Sequence, residues 1–489
     1  MSSEAGRESL RVVVIGAGMA GMLSAIRLKE SGYKNIKVFE KADRVGGTWR
    51  ENTYPGLTCD VPSHAYTYSF EPNPDWSHIM PPGAEIQSYF EMVSRKYGIL
   101  PLIEFNQEIV SCAYRDGVWQ LATKSGQKTT ADIVIAATGV LHVPRYPHIP
   151  GIDDFEGALF HTSRWDHQVP LDGMRIGVIG TGSTGVQIVS ALCKRASKLL
   201  HFQRTPQWIM PIENRPFTEA EKEAFRSDYA LLKYMQNEPE YLANVERFTN
   251  AIVNPESPEM AEIEATVLHN LEANVTDPAL REKLRPNYRA ACKRLIFSPD
   301  FYHAVQQPAV EVITDKISAI EAKGVRTADG KLHELDVIAL ATGFHADRFM
   351  RPMNIVGRGG IALNDFWADR PKAHLAISMP DFPNFFMLNG PNGPVGNFSL
   401  IDIAEQQWHY IDQLLEQIAS GKCREVCVKK QALEDFDAAR IDAAKKTIFG
   451  SGCQSWYLDD NGVPATWPWT QQHFIDEMSE PKFEDYELI

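Results

Sequence analysis

The first strong signal along the chain is an unbroken apolar run, Arg11-Val-Val-Val-Ile15, followed by a glycine-rich turn and then apolar residues at helical spacing to about Ser31. A second strand-like run covers Ile36 to Glu40. A strand that is apolar throughout, rather than alternating, is buried on both faces, so the pattern predicts a βαβ opening of a parallel sheet. The same arrangement returns at Met174, with Arg175-Ile-Gly-Val-Ile179, a glycine turn, a helix from about Thr184 and a strand over Leu199 to Gln203. Between Glu213 and Lys293 the pattern changes to long, charged, helix-forming stretches. There Thr218 and Glu221 are spaced as a capping box, and Asp277-Pro278 as an N-cap followed by proline at the first helical position. Strand-like runs come back at Val310 to Ile313 and Val337 to Leu340, before a C-terminal region rich in Pro, Asn and aromatic residues.

These elements predict an α/β protein with two Rossmann-like dinucleotide-binding domains and a helical insertion in the second. Residues 1–145 and 374–489 are assigned to the first domain, 151–212 and 292–373 to the second, and 213–291 to the insertion. A chain of 489 residues exceeds what one core usually serves, which agrees with several domains. Composition excludes more than it suggests. No stretch approaches the ~18 consecutive apolar residues of a membrane span, and the polar residues 1–7 give no sign of secretion. The net charge of −14, without any basic block, argues against nucleic acid or an anionic membrane surface as partner. Seven scattered cysteines predict reduced thiols and a cytoplasmic location. Oligomeric state is not readable from the sequence.

The candidate chemistry begins at Gly16-Ala-Gly18-Met-Ala-Gly21, placed directly between strand and helix. Its first glycine makes the turn, the second lets backbone approach a pyrophosphate, and the third lets helix and strand pack closely. The helix N-terminus, with its free N–H groups, faces the phosphates. Glu40, at the end of the second strand, offers a carboxylate to ribose hydroxyls and would repel a 2′-phosphate. The site therefore suits FAD or NAD rather than NADP. FAD is favoured by Gly46-Gly47 and by Ala137-Thr138-Gly139 and Ala341-Thr342-Gly343, which close later strands.

The second turn, Gly180-Thr181-Gly182-Ser183-Thr184-Gly185, repeats the fingerprint, but Arg204-Thr205 stands where the first unit has its acid. An arginine fork offers paired hydrogen bonds to a phosphate, so this site reads as NADP. A flavin unit and an NADPH unit in one chain imply hydride transfer from nicotinamide to flavin. The electron acceptor stays open at this point: a disulfide, an iron–sulfur partner or O2. The disulfide route lacks a redox cysteine pair, since Cys59 has no neighbour and Cys423 and Cys427 lie far from both fingerprints.

Phe155-Glu-Gly157-Ala-Leu-Phe-His161-Thr-Ser-Arg-Trp165-Asp166 resembles the FxGxxxHxxxW signature of type I Baeyer–Villiger monooxygenases, at the place where that family carries it. Two further patterns match: Gly47-Thr48-Trp49 with Tyr54-Pro55-Gly56 and Asp60, and Cys292-Lys293-Arg294. The resemblance covers about Leu10 to Trp469. Asp166 stands where well-known members have proline, and the C-terminal region is closest to the 4-hydroxyacetophenone monooxygenase-like branch.

The resemblance implies an NADPH- and O2-dependent enzyme converting ketones to esters or lactones. NADPH reduces FAD, the reduced flavin and O2 give an anionic C4a-peroxide, and attack on the carbonyl gives a tetrahedral (Criegee) adduct. Arg294 would stabilise peroxide and adduct, and Asp60 would hold Arg294 in position. By the same resemblance Gly47, Thr48, Trp49, Asp60 and Tyr66 contact FAD. Gln187, Lys293, Arg294 and Trp456 join the second glycine turn, Arg204 and Thr205 around NADP, and Lys293 meets the 2′-phosphate. His161 and Trp165 belong near the domain linker without doing chemistry. The loop Gly390-Pro-Asn-Gly-Pro394 runs close to the flavin ring. Two alternatives stay in view: oxidation at sulfur or nitrogen, and a flavoprotein reductase passing electrons to a partner. The expected partners are a small apolar ketone and O2, with no metal.

Overall fold

Two five-stranded parallel sheets form the frame of the molecule. The computed structural model describes residues 3–394, 399–452, 458–459 and 461–489. In the first sheet the order is Phe385–Met387, Ile133–Ala136, Arg11–Ile15, Asn35–Phe39, Ile103–Glu104. In the second it is Val310–Ile313, Lys198–Phe202, Arg175–Ile179, Val337–Leu340, Ala158–His161. The glycine-turn strand is the middle one of each, with the strand that follows its helix paired beside it in parallel register.

The continuous apolar strands are explained by burial on both faces. Val12 and Val14 pack with the helices Met19–Glu30 and Leu400–Ala419, whereas Val13 and Ile15 point the other way, toward Trp119 and Leu121 of a small antiparallel sheet. Side chains alternate across a strand, so every residue of the run meets an apolar layer. Each such side chain stabilises the fold by roughly 1.5–3 kcal/mol. The second sheet repeats this, with Ile176 and Val178 in one cluster and Ile179 in another.

The block between the second sheet's strands is helical: Glu219–Ser227, Tyr229–Gln236, Pro239–Val253, Pro258–Asn274 and Pro278–Leu284. Thr218 and Glu221 form a reciprocal capping box, and Asp277 accepts from the Ala279 N–H ahead of Pro278. At its base Ile209–Met210 pairs in parallel with Ile296–Phe297, so the block leaves and re-enters through a two-strand neck.

Two expectations need correction. Asn354–Val356 pairs with Ile109–Arg115, and Met350, Met353 and Trp367 pack with Val13 and Ile15. The chain is thus back against the first sheet well before residue 374. The segment carries no periodic pattern, and its apolar residues are placed by tertiary packing alone. Of the thiols, Cys59, Cys112, Cys193, Cys423 and Cys427 are free, but Cys292 is disulfide-bonded. Pairing depends on proximity in space, which spacing along the chain does not report. No helix among the described residues is long and apolar enough to cross a membrane.

Candidate active site

The two glycine turns are built alike. Gly16 (φ +101°) and Gly180 (φ +124°) make the bend, and a Cβ on either would lie 2.5 or 2.1 Å from the carbonyl oxygen of Ala137 or Ala341. A Cβ on Gly21 or Gly185 would meet the carbonyl oxygen of Gly16 or Gly180 at 1.8 or 2.2 Å. The two Ala-Thr-Gly segments therefore serve one turn each, as the floor on which the first glycine rests. Glu40 follows its strand directly and is 4% exposed. Its Oε2 accepts from the Ala17 N–H at 2.7 Å and its Oε1 from the Ala42 N–H at 2.9 Å. Each oxygen keeps a second lone pair for a ligand hydroxyl.

Both turns open onto one cavity of about 1360 Å³. Gly16, Gly18, Glu40, Gly47, Thr48, Trp49, Asp60 and Tyr66 line it from the first unit. Gly182, Ser183, Thr184 and Gln187 line it from the second, and Arg294 from the segment leaving the helical block. The volume exceeds the ~300–1,000 Å³ of an ordinary ligand pocket, as a site for two cofactors and a substrate requires. Gly18 approaches Gly47 across the floor, where a Cβ on Gly47 would lie 3.0 Å from the Gly18 Cα. Trp49 Nε1 donates to the Tyr66 hydroxyl at 3.0 Å, with the two rings edge to face. Asn389 (φ +53°) lies on the cavity wall, and its buried Oδ1 has no partner among the described residues.

Arg294 Nη2 donates to Asp60 Oδ2 at 2.6 Å, with both side chains partly exposed to the cavity. This ion pair joins the neck of the helical block to the first unit. Cys59 and Tyr66 stand within electrostatic reach of it, and burial pushes both of their pKa values up. Neither therefore adds a negative charge beside the guanidinium.

Arg204, Thr205 and Lys293 lie apart from that cavity's lining. Thr181 Oγ1 donates to the Thr205 carbonyl at 2.8 Å, joining the turn to the end of the neighbouring strand. Lys293 Nζ sits 4.4 Å from the centre of the Tyr288 ring. Burial and the nearby Arg204 charge together push its pKa down. Among the described residues neither cation has an ion-pair partner. Two like charges held together this way suit a doubly charged anion between them.

Gln187 makes contacts that the sequence did not reveal. Its Oε1 accepts from the Tyr54 hydroxyl at 2.9 Å, and its Nε2 donates to the Thr58 carbonyl at 3.0 Å. Gly56 packs under the same helix, where a Cβ would lie 2.7 Å from the Gln187 carbonyl oxygen. The Tyr54-Pro55-Gly56 element is thus the seam between the two units.

His161 is held at both nitrogens. Its Nδ1 accepts from the Ser163 N–H at 3.2 Å, and its Nε2 meets the Gly343 carbonyl at 3.0 Å. Burial holds its pKa below the ordinary histidine value, so it is neutral and Nε2 carries the proton. Gly343 belongs to one of two linkers that run side by side between the sheets, where the Arg145 N–H meets the Gly343 carbonyl and the His345 N–H meets that of Val143. Trp165 packs edge to face on Phe160. Next to it Arg164 pairs with Glu51, and His167 Nε2 meets Thr53 Oγ1 at 2.8 Å. Glu51 also faces Arg50 at 2.7 Å and Lys41 at 3.7 Å. No sequence signal marks Glu51, because Arg164 lies far along the chain and neither Arg50 nor Lys41 stands at a helical pairing distance from it. Trp456 lies outside the described residues.

Comparison with known proteins finds relatives over nearly the whole chain. A family model for flavin-binding monooxygenase-like proteins matches residues 9–221. An uncharacterised monooxygenase of Mycobacterium tuberculosis is 44% identical over 477 residues, covering 98% of this chain and 96% of its own. A Baeyer–Villiger monooxygenase of Streptomyces coelicolor is 36% identical over 487 residues, covering 99% and 93%. Among solved structures, cyclohexanone monooxygenase from Rhodococcus sp. Phi1 bound to NADP+ superposes with a TM-score of 0.87 at 29% identity, covering 98% of this chain and 99% of that one.

Proposed function

The chain belongs to the flavin-binding monooxygenases of Baeyer–Villiger type, and from that premise we propose that its Arg294–Asp60 pair serves the insertion of one oxygen atom of O2 into a ketone. It is a flavoprotein enzyme that uses FAD and NADPH. The first turn fits FAD: a Cβ on Gly47 would narrow the cradle it forms with Gly18, and Glu40 keeps acceptor capacity. The second fits NADP, because a Cβ on Gly182 meets nothing within 4 Å and the two cations at Arg204 and Lys293 suit a 2′-phosphate. When bound, FAD supplies oxygen activation and NADPH supplies the hydride.

The protein's own contribution is electrostatic. Arg294 places a permanent positive charge on the cavity wall, where negative charge develops on oxygen as the ketone carbon becomes tetrahedral. Asp60 aims the guanidinium through the 2.6 Å bond, and the neutral Cys59 and Tyr66 add no second negative charge beside it. Tyr54, Thr58 and Gln187 keep the second turn against the first, so both cofactors share one enclosed space. The neutral His161 and the Arg164–Glu51 pair tie the signature segment to the linker and to the first unit. The division into a first domain of residues 1–145 and 374–489 serves as a guide to these roles, with the boundary moved earlier for residues 350–373.

The observation that carries the reading is the Arg294–Asp60 ion pair on a cavity wall shared with the first glycine turn. The test is NADPH consumption by the purified yellow protein with cyclic, linear and aryl ketones, with products weighed by mass spectrometry. An ester or lactone one oxygen heavier than its ketone supports it. Arg294→Ala should still accept hydride but form no ester, a loss of about 100-fold or more for a preorganised charge. Normal ester formation by that variant, or sulfoxide as the sole product of a mixed panel, overturns it.

A further inference from the structure

The helical block turns two helices toward the main cavity. Pro239–Val253 lines it through Tyr241, Asn244, Val245 and Phe248, and Pro258–Asn274 through Glu259, Glu262, Ile263 and Thr266. Both sets follow the spacing i, i+3, i+4, i+7, which is a single face of each helix. The inner part of this passage is apolar: Val245 and Ile263 are buried, and Tyr241 and Phe248 are half-buried. The outer part is not. Glu213, Glu238, Glu240, Glu259 and Glu262 line the same cavity from residues 213–291, where Arg247 is their one lining cation; Lys41, Arg50, Arg145, Arg294 and Arg351 line it from elsewhere in the chain. Among the described residues only Glu262 has an ion-pair partner, Arg247 at 3.9 Å, and both are largely exposed.

We propose that these glutamates form a charge filter for the substrate, passing neutral and cationic ketones and rejecting ketones that carry a carboxylate, sulfate or phosphate. The proposal rests on the oxygenase reading above. An acidic surface elsewhere would be simple solvation, but these side chains rim the cavity that holds Arg294. Low-dielectric walls focus the field of like charges at such a mouth and change the local concentration of a charged solute by about tenfold or more. The cofactor end has the opposite sign, with Arg204 and Lys293 beside the second turn. Reductant, which is polyanionic, and substrate thus meet the molecule at surfaces of opposite charge. The apolar face behind the glutamates then accepts the hydrocarbon part of a ketone without burying an unpaired charge.

The experiment uses the holoenzyme and three aliphatic ketones of matched length, ending in a methyl, a trimethylammonium or a carboxylate group. At about 0.01 M salt the ratio of kcat/KM for the ammonium ketone to that for the carboxylate ketone should be about tenfold or more, with the neutral ketone between. At about 1 M salt, where the Debye length falls from ~30 to ~3 Å, the ratio should approach one. The double variant Glu240→Lys, Glu259→Lys should reverse the order at low salt. Ester formation with a ratio near one, or a ratio untouched by salt and by the double variant, overturns the filter alone. Absence of oxygenated product from all three ketones overturns the oxygenase reading and the filter with it.

Discussion

The two dinucleotide units share a skeleton and differ in charge. Each has a first glycine at positive φ resting on an alanine carbonyl, and a third glycine pressed on the first. In one, the strand leads to Glu40, buried and holding two backbone N–H groups. In the other it leads to Arg204, exposed and beside Lys293. On the proposed reading, backbone geometry makes a pyrophosphate cradle in both units, and the residue after the next strand selects the nucleotide. The burial differs as well. The acid is sealed into its turn by two backbone N–H groups, whereas the cations stay at the surface, as the proposed ribose and phosphate roles require.

The largest effects should come from the third glycines. A Cβ on Gly21 lies 1.8 Å from a backbone oxygen, so Gly21→Ala forces helix and strand apart, an overpacking cost of ~1–3 kcal/mol or more. The purified variant should be colourless or nearly so, read as flavin absorbance per mole of protein. Gly185→Ala strains the second turn alike, at 2.2 Å, and should keep its flavin while losing about 100-fold or more in kcat/KM for NADPH. Loss of flavin from Gly185→Ala would show that the units do not fold separately. Gly182→Ala meets nothing within 4 Å, so its Tm should be unchanged and only the KM for NADPH should rise.

The charge difference itself comes next. Arg204→Ala removes charge-assisted hydrogen bonds worth ~1.5–3 kcal/mol, so KM for NADPH should rise by about 10- to 100-fold while KM for NADH changes little. Equal change with both cofactors would mean that Arg204 does not read the 2′-phosphate. Glu40→Gln is the mirror experiment. It keeps one acceptor oxygen but loses the charge, and should weaken FAD retention in dialysis while leaving the NADPH preference untouched.

Much of this was legible in the sequence because it is local. Strand, turn and helix sit within about thirty residues of each other, and Glu40 and Arg204 fall at the spacing a βαβ unit dictates. The strands over Val310–Ile313 and Val337–Leu340, the capping box at Thr218 and the proline start at Pro278 follow from short patterns too. What escaped is non-local. The return of residues 350–373 to the first sheet depends on Met353 and Trp367 meeting Val13 and Ile15. The Glu51 cluster and the Gln187 seam each join residues far apart in the chain. Arg294 and Asp60 fall between these cases. A family resemblance suggests their pairing, but neither spacing nor periodicity brings residues 60 and 294 to 2.6 Å.

A smaller effect is expected where the signature segment grips the first unit. Burial pushes the Glu51 pKa up, but Lys41, Arg164 and Arg50 together pull it below the ordinary value. A carboxylate lowered by folding adds stability above its unfolded pKa of ~4.3 and loses it as the pH falls through the folded value. Glu51→Gln should therefore lower Tm by a few degrees at pH 7, and the gap from the parent should close below about pH 4. A gap that is constant across that range would mean that packing, rather than charge, accounts for it.

The smallest effect belongs to the seam, and it separates two roles of one residue. Tyr54→Phe removes the 2.9 Å hydrogen bond to Gln187 Oε1 and the longer one, 3.3 Å, from Thr184 Oγ1, and leaves the Thr58 and Gly56 sides of the seam in place. One such bond is worth ~1 kcal/mol, so a Tm loss of about 2 °C is expected, with flavin retained. Thr58 still holds the Gln187 side chain through Nε2, so its position against the second turn should survive. If Gln187 acts on NADPH only through its place in the seam, Tyr54→Phe should leave KM for NADPH nearly unchanged and Gln187→Ala should raise it only a few-fold. If Gln187 also touches the nucleotide, Gln187→Ala should exceed Tyr54→Phe by about tenfold, because a direct hydrogen bond to the ligand then goes together with the seam. Steady-state kinetics on the two single variants and their double mutant decides it, because a shared role makes the two changes less than additive and a separate interaction makes them add.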